Sequence, residues 1–343
     1  MTTIEIKGSS GISKLLIGGR LSNFRKYLPG MRTIILTDQV VNDLYGHNWR
    51  DFPVVIVGQG ETAKTLGTVQ IVIQKLLDLN ADRLTFILGV GGGIVCDITG
   101  FVASIFMRGL RFGFVSTTLL SQVDASVGGK NGVNYNGFKN IVGVFNQPEF
   151  VLCDPAVLTT LHRTEISNGL AEIVKHALIA DSAMFDFIEK NAEVMMELQE
   201  EVIGHLVVRS VEIKSGIVNR DEKETGERRK LNFGHTFGHA IEKVAGISHG
   251  KAVSIGMVIA ASISKEKGYI SEMDFWRMVN LLKRLELPVK LNFQPELLFD
   301  ALEKDKKRAD SSIHFVLLKN LGEAVVEILQ ISQLKEFLNK FSL

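Results

Sequence analysis

At 343 residues the chain is too long for one ordinary core, so two domains are expected. Its hydrophobic content of 45% and charged content of 22% exclude disorder. With 39 Lys and Arg against 38 Asp and Glu, no general field is left to attract nucleic acid or a membrane surface.

The N-terminus, MTTIEIKGSSGISKLL, has no basic segment leading into an apolar run, so no signal peptide is expected. Residues 32–38, RTIILTD, read as a buried strand ending in an acid, and 54–58, VVIVG, as a second strand. A helix is expected from Gly60 to about Leu79, then a third strand over 84–90. The stretch Ile87 to Met107 is long and apolar, with Asp97 its single charge, but its five glycines argue against a membrane helix. A strand, a glycine turn and a buried helix explain it better, which is the βα unit of a parallel sheet. Phe112 to Ser116 reads as another strand, followed by a long loop over 117–140 and a strand over Val151 to Asp154. Cys96 and Cys153 lie in apolar runs, which points to a reducing compartment and away from a disulfide framework.

After Asp154-Pro155 the period moves to that of helices. They are expected over Ile166–Ala180, Val194–Asn219, His235–Val244, Ala252–Lys267 and Phe275–Leu285, with a late hairpin over Ile313–Leu318 and Ala324–Ile328. The charged run Asp221 to Lys230 reads as a solvated loop. The expected fold is α/β. A Rossmann-like parallel-sheet nucleotide domain over 1–155 precedes a mostly α-helical metal- and substrate-binding domain over 156–343.

Several motifs carry chemistry. LNFGHTFGH sets His235 and His239 four apart, on one helix face. With His249 in SHGKAV and Glu172 in GLAEIVKH, these offer a zinc ligand set with an open position, or else are ordinary histidines. Gly234 and Gly238 suit either a ligand or a close backbone. Gly89 to Gly93 follows a strand and precedes a helix, the context in which backbone N–H groups hold a nucleotide phosphate, although Ile94 stands where a Rossmann fingerprint has its third glycine. Asp38 could take ribose hydroxyls. Lys130 follows two glycines and can reach an anion. Glu172 and Lys175, three apart on a helix, read in isolation as a surface ion pair.

GVGGGIVCDITGFVASIFMRG, TTLLSQVDASVGGKNGVNYNGFKN, GLAEIVKH, ETGERRKLNFGHTFGHAIE and HGKAVSIGM stand here in an order and spacing that resemble the 3-dehydroquinate synthase family, among the sugar phosphate cyclases. The resemblance runs from about Asp38 to Lys307. It implies a cytoplasmic homodimeric lyase with catalytic NAD and zinc, cobalt being a possible substitute. The implied substrate is 3-deoxy-D-arabino-heptulosonate 7-phosphate and the product 3-dehydroquinate, on the shikimate route to aromatic amino acids. The implied course is transient oxidation, phosphate elimination, reduction, ring opening and aldol closure.

By the same resemblance the metal ligands are Glu172, His235 and His249, and His239 lies instead near the substrate phosphate. Lys130, Asn140, Asn232, His239 and Lys306 match phosphate-side residues. Arg108 resembles an arginine that reaches into the neighbouring protomer's site, and Arg228 the carboxylate-binding arginine. Asp124, Lys175 and Lys214 match groups around the substrate hydroxyls. For NAD the resemblance points to Asp38, Glu61, Lys64, Gly91, Gly92, Asp97, Thr117, Thr118, Lys139 and Thr160, with Lys130 adjoining. A metal-dependent alcohol or glycerol dehydrogenase has a similar build, but has no use for a phosphate pocket and a carboxylate clamp.

Overall fold

The sheet that organises the first half of the chain begins with an antiparallel hairpin, β1 (Thr2–Gly8) and β2 (Gly11–Ile17). The computed structural model describes residues 1–290, 297–299, 302 and 312–340. By contacts the chain forms two compact units, Met1–Leu161 with Lys214–Glu222, and His162–Ile213 with Lys223–Leu343. The division at Leu161 falls a little after the expected 155, and a late helical segment clusters with the first unit.

In that sheet unit β3 (Thr33–Thr37) leads into α1 (Gln39–Tyr45) and β4 (Val54–Ile56). Then come α2 (Leu66–Asp78), β5 (Phe86–Gly91), α3 (Gly93–Ile105) and β6 (Phe112–Ser116). The hairpin β7 (Lys130–Tyr135) and β8 (Phe138–Phe145) precedes β9 (Phe150–Cys153). The seven strands lie in the order β1-β2-β9-β6-β5-β3-β4, parallel except for β1. Every residue of β3, β5, β6 and β9 is buried, as a parallel sheet with both faces covered requires. Phe24, Trp49, Phe86, Leu88, Phe150 and Leu152 belong to its main core cluster. The apolar stretch from Ile87 becomes β5 and α3, and no helix among the described residues is long and apolar enough to cross a membrane.

The connections set a switch point. From β3 the chain moves through α1 to β4 on one side, then returns through α2 to β5 on the other side of β3. The carboxyl ends of β3 and β5 are therefore neighbours whose helices diverge, the place where open α/β sheets bind ligands. Asp38 follows β3 there, and Gly92 and Gly93 follow β5.

The stretch 117–140, expected to be a loop, contains most of the β7–β8 hairpin instead. Asn136-Gly137, with φ of 48° and 79°, is a dipeptide that favours a two-residue turn. The expected helix over Val194–Asn219 is also corrected. Leu198, with φ of 55°, breaks it between α5 (Ser182–Met196) and α6 (Glu200–Arg220).

The helical unit opens with α4 (Arg163–Ala180), buried from Ile166 to Ile179. After α5 and α6 come α7 (His235–Ala245), α8 (His249–Glu266) and α9 (Glu272–Arg284). The hairpin β10 (Ser312–Asn320) and β11 (Glu323–Gln330) and then α10 (Ile331–Lys340) follow. The charged run is not simply a solvated loop. Its second half turns into a short helix, Glu227–Asn232, and Arg228 in it is only 2% exposed.

Candidate metal centre and nucleotide turn

Three helices bring the metal candidates together, and glycines set how closely they approach. A methyl group on Gly250 would fall 2.4 Å from Asn168 Cα, so α8 begins hard against α4. Asn168 Oδ1 accepts the Gly250 N–H at 3.0 Å. One turn further along α4 stands Glu172, and one residue earlier on α8 stands His249. Likewise a methyl on Gly256 would fall 2.0 Å from Gly234 O, which holds the start of α7 against α8 and carries His235 in. The glycines around these histidines therefore serve close backbone packing.

The result is a convergent donor set. Glu172 Oε1 lies 3.5 Å from His235 Nε2 and 3.4 Å from His249 Nε2. One donor atom from each residue lies within 4.8 Å of the others. One carboxylate oxygen and two imidazole nitrogens suit zinc or a similar ion and leave a coordination position open. His235 Nδ1 faces Phe233 O at 3.2 Å, and His249 Nδ1 faces Glu242 Oε2 at 3.5 Å. Partners of that kind fix which nitrogen of each ring points inward.

The electrostatics split the two rings. Burial, reinforced by the Lys175 charge, pulls His235 down to about 3, so its ring is neutral and able to ligate. Burial also opposes a charge on His249, but its hydrogen bonds to Glu172 and Glu242 prevail and raise it to about 9. A cation entering there replaces that proton. Glu172 is wholly buried and Lys175 is 1% exposed, with Lys175 Nζ donating to Glu172 Oε2. The pair that reads in isolation as a surface ion pair is therefore a core one, for which partnership is obligatory. His239 is exposed, its ring 5.3 Å from that of His235. Asn232 donates to Glu224, and Arg228 is buried next to it in the same short helix. Lys306 lies outside the described residues.

In the sheet unit the glycine turn caps α3. Gly92 is the N-cap and makes no side-chain cap, so the first N–H groups of α3 depend on something other than a capping side chain. A methyl on Gly92 would fall 2.9 Å from Thr118 Cγ2. A side chain at this position would therefore have to displace Thr118. Thr117 N–H donates to Gly91 O at 2.9 Å, and Thr118 Oγ1 bonds to Ser121 Oγ at 3.0 Å.

Glu61, Lys64, Asp97 and Lys139 form ion pairs, with Asp97 on the helix that follows this turn. Lys64 Nζ donates to Asp97, and Lys139 Nζ lies 3.9 Å from Glu61. Burial raises the Asp97 carboxyl to about 6 even though Lys64 pulls the other way. Lys214 Nζ donates to Asp124 Oδ1 at 2.6 Å. Asp38 caps α1 through the Val41 N–H at 2.9 Å, and Thr160 meets Tyr45 OH at 2.8 Å. Lys130 and Asn140 are exposed on the hairpin, and Asn140 takes a left-handed φ of 51°. Arg108 is exposed with φ of 68° and has no hydrogen-bond or ion-pair partner among the described residues.

Sequence reasoning missed Glu242 and Asn134. Glu242 is two helical turns from His235 and belongs to no ligand spacing; only the folded chain puts it behind His249.

A doubly wound sheet with a glycine turn at its switch point and a helical unit with a Glu-His-His donor set together define a metal-binding α/β enzyme. Two family models match, 3-dehydroquinate synthase N-terminal over 54–168 and 3-dehydroquinate synthase C-terminal over 169–308. A curated 3-dehydroquinate synthase of Thermoanaerobacter pseudethanolicus is 42% identical over 88% of both chains. Among solved structures, 2-epi-5-epi-valiolone synthase of Streptomyces hygroscopicus, with NAD+ and Zn2+ bound, superposes with a TM-score of 0.87 at 28% identity over 95% of both chains. A 2-deoxy-scyllo-inosose synthase complexed with carbaglucose-6-phosphate, NAD+ and Co2+ does so with a TM-score of 0.86 at 27% identity, covering 99% of this chain and 100% of that one. The chain belongs to the 3-dehydroquinate synthase family.

Proposed function

We infer that this chain converts 3-deoxy-D-arabino-heptulosonate 7-phosphate to 3-dehydroquinate and phosphate, as a phosphate-eliminating carbon–oxygen lyase on the shikimate route in the cytoplasm. The convergence of Glu172, His235 and His249 in a member of this family carries the reading. Those three residues would hold zinc or cobalt, and the turn at Gly91 and Gly92, with Asp38, Glu61, Lys64, Asp97, Thr117, Thr118, Lys139 and Thr160, would hold NAD. When bound, NAD supplies a reversible hydride acceptor and the metal a Lewis acid that acidifies a hydroxyl.

The chain's own residues bind and orient. Arg228, buried and planar, offers a fork to the substrate carboxylate. Lys130, Asn140, Asn232, His239 and Lys306 are assigned to the phosphate, which needs several cationic or N–H donors. Arg108, with no side-chain partner among the described residues, is assigned to the neighbouring protomer's phosphate in a homodimer. Lys214 and Asp124, already bonded to each other, present a donor and an acceptor to the substrate hydroxyls. Lys175 Nζ donates to Glu172 Oε2 and leaves the other carboxylate oxygen facing the two imidazoles.

The test is incubation of the purified, zinc-loaded chain with the heptulosonate phosphate and a catalytic amount of NAD. Equal amounts of phosphate and dehydroquinate, with NAD unchanged at the end, are expected. Glycerol oxidation with NADH accumulating, and no phosphate released, would make it a dehydrogenase instead.

A further inference from the structure

The hairpin β7–β8 carries Lys130, Lys139 and Asn140; it packs on α3, and Asn134 links it to the segment that carries Glu61 and Lys64. The ladder between its strands slips between Val133 and Tyr135, which leaves Asn134 out of register. A bulge of this kind redirects the residue it displaces. Asn134 forms an isolated parallel bridge with Thr65 instead, and its backbone N–H donates to Lys64 O at 2.9 Å.

Both ends of the Asn134 side chain are used. Its Nδ2 donates to Glu61 Oε1 at 2.7 Å, and its Oδ1 accepts the backbone N–H of Asn140 at 2.8 Å. Asn140 is held in a left-handed conformation at φ 51°, one that needs local support in a residue other than glycine. Lys64 in turn donates to Asp97 on α3, the helix that starts at the glycine turn. One half-buried amide thus joins the segment carrying Glu61 and Lys64 to the backbone of Asn140.

We propose that Asn134 is a positioning residue that couples the nucleotide side of the sheet unit to its phosphate side, so that each ligand strengthens the other's binding. The proposal rests on the function inferred above, which places Glu61 and Lys64 at NAD and Asn140 at phosphate. A ligand that orders Glu61 orders the Asn140 N–H through the Asn134 side chain, which bonds to both. By thermodynamic reciprocity, phosphate must then favour NAD by the same factor.

The test is calorimetric titration of NAD into the full zinc-loaded chain, with and without saturating inorganic phosphate, and the reverse titration. For the wild type, phosphate should tighten NAD binding by a factor in the usual coupling range of roughly 5- to 150-fold. N134A removes both side-chain bonds and should bring the ratio near unity. N134D keeps an acceptor for Asn140 but sets a carboxylate against Glu61, and should do the same. The double variant N134D/E61Q reverses the donor and acceptor of that bond and should restore the ratio, whatever its absolute NAD affinity. A merely structural role would not be rescued by exchanging polarity. Zinc content and the thermal melt report whether each variant folds. A wild-type ratio of unity, or an N134A ratio equal to wild type, overturns the proposal. A wild-type chain that binds no NAD overturns the cofactor reading instead.

Discussion

Two buried lysine–carboxylate pairs, Lys64–Asp97 in the sheet unit and Lys175–Glu172 in the helical unit, share a chemistry and differ in their company. Asp97 has Glu61 as a further carboxylate nearby, and burial lifts it to about 6, so its cationic partner only partly offsets the cost of desolvation. Glu172 has His235 and His249 facing its other oxygen, so two more donors aim at one point. Of the two pairs, only Lys175–Glu172 meets a convergent donor set, because three separate segments bring Glu172, His235 and His249 together, with the far nitrogens of both rings already engaged. A buried ion pair by itself says little about function; the groups that converge on it say much more.

The largest effect should come from removing a donor. His249→Ala is expected to lose bound zinc and activity by more than the roughly 10–100-fold that an outer partner is worth, with the far-UV spectrum unchanged. Full metal content by mass spectrometry would take His249 out of the centre. Next is Glu242→Ala, which leaves His249 Nδ1 unsupported. It should weaken zinc affinity roughly 10–100-fold in a chelator competition, and unaltered affinity would reduce Glu242 to a bystander.

Gly256→Ala tests the packing that sets the donor spacing. Its methyl would meet Gly234 O at 2.0 Å, a backbone atom that cannot rotate away. A loss of about 1–3 kcal/mol in urea unfolding is expected, together with weaker zinc binding. A variant as stable as wild type would mean that α7 and α8 separate easily and that the comparison between the two pairs understates their freedom.

The smallest effect concerns the other pair. Asp97 in the folded chain titrates near 6 against an ordinary 3.8, so the folded state keeps a proton through a range in which the unfolded state has lost it. Its contribution therefore declines as pH rises from about 4 to about 6. Asp97→Asn should remove that downward slope, read from urea midpoints at about pH 4.5 and about pH 6.5. The same slope in variant and wild type would assign it to other groups.

Much of the sheet unit was legible because its strands are continuous apolar runs punctuated by glycine, a pattern set by burial on both faces. The β7–β8 hairpin was hidden although Asn136-Gly137 signals a turn, since its polar residues resemble a loop. The break at Leu198 was hidden too, because the helical period resumes immediately after it. Of the metal set, HTFGH gave His235 and His239 equal standing. Spacing cannot rank them, because both project from one face.

The sequence by itself determined the strands β3 to β6 and β9, most of the helices after Asp154, the glycine turn between β5 and α3, and the residue types available for a cation and an anion. The tertiary structure supplied the distances at which His235 and His249 face Glu172, a set that the spacing left open and the family resemblance named. It also decided that Glu242 backs His249, and that Asn134 joins Glu61 to Asn140. The reason is physical: a donor set is defined by distances of a few ångströms between segments far apart in the chain. Those distances are fixed by how closely α4, α7 and α8 pack at Gly250 and Gly256, and by where one bulge turns a strand aside.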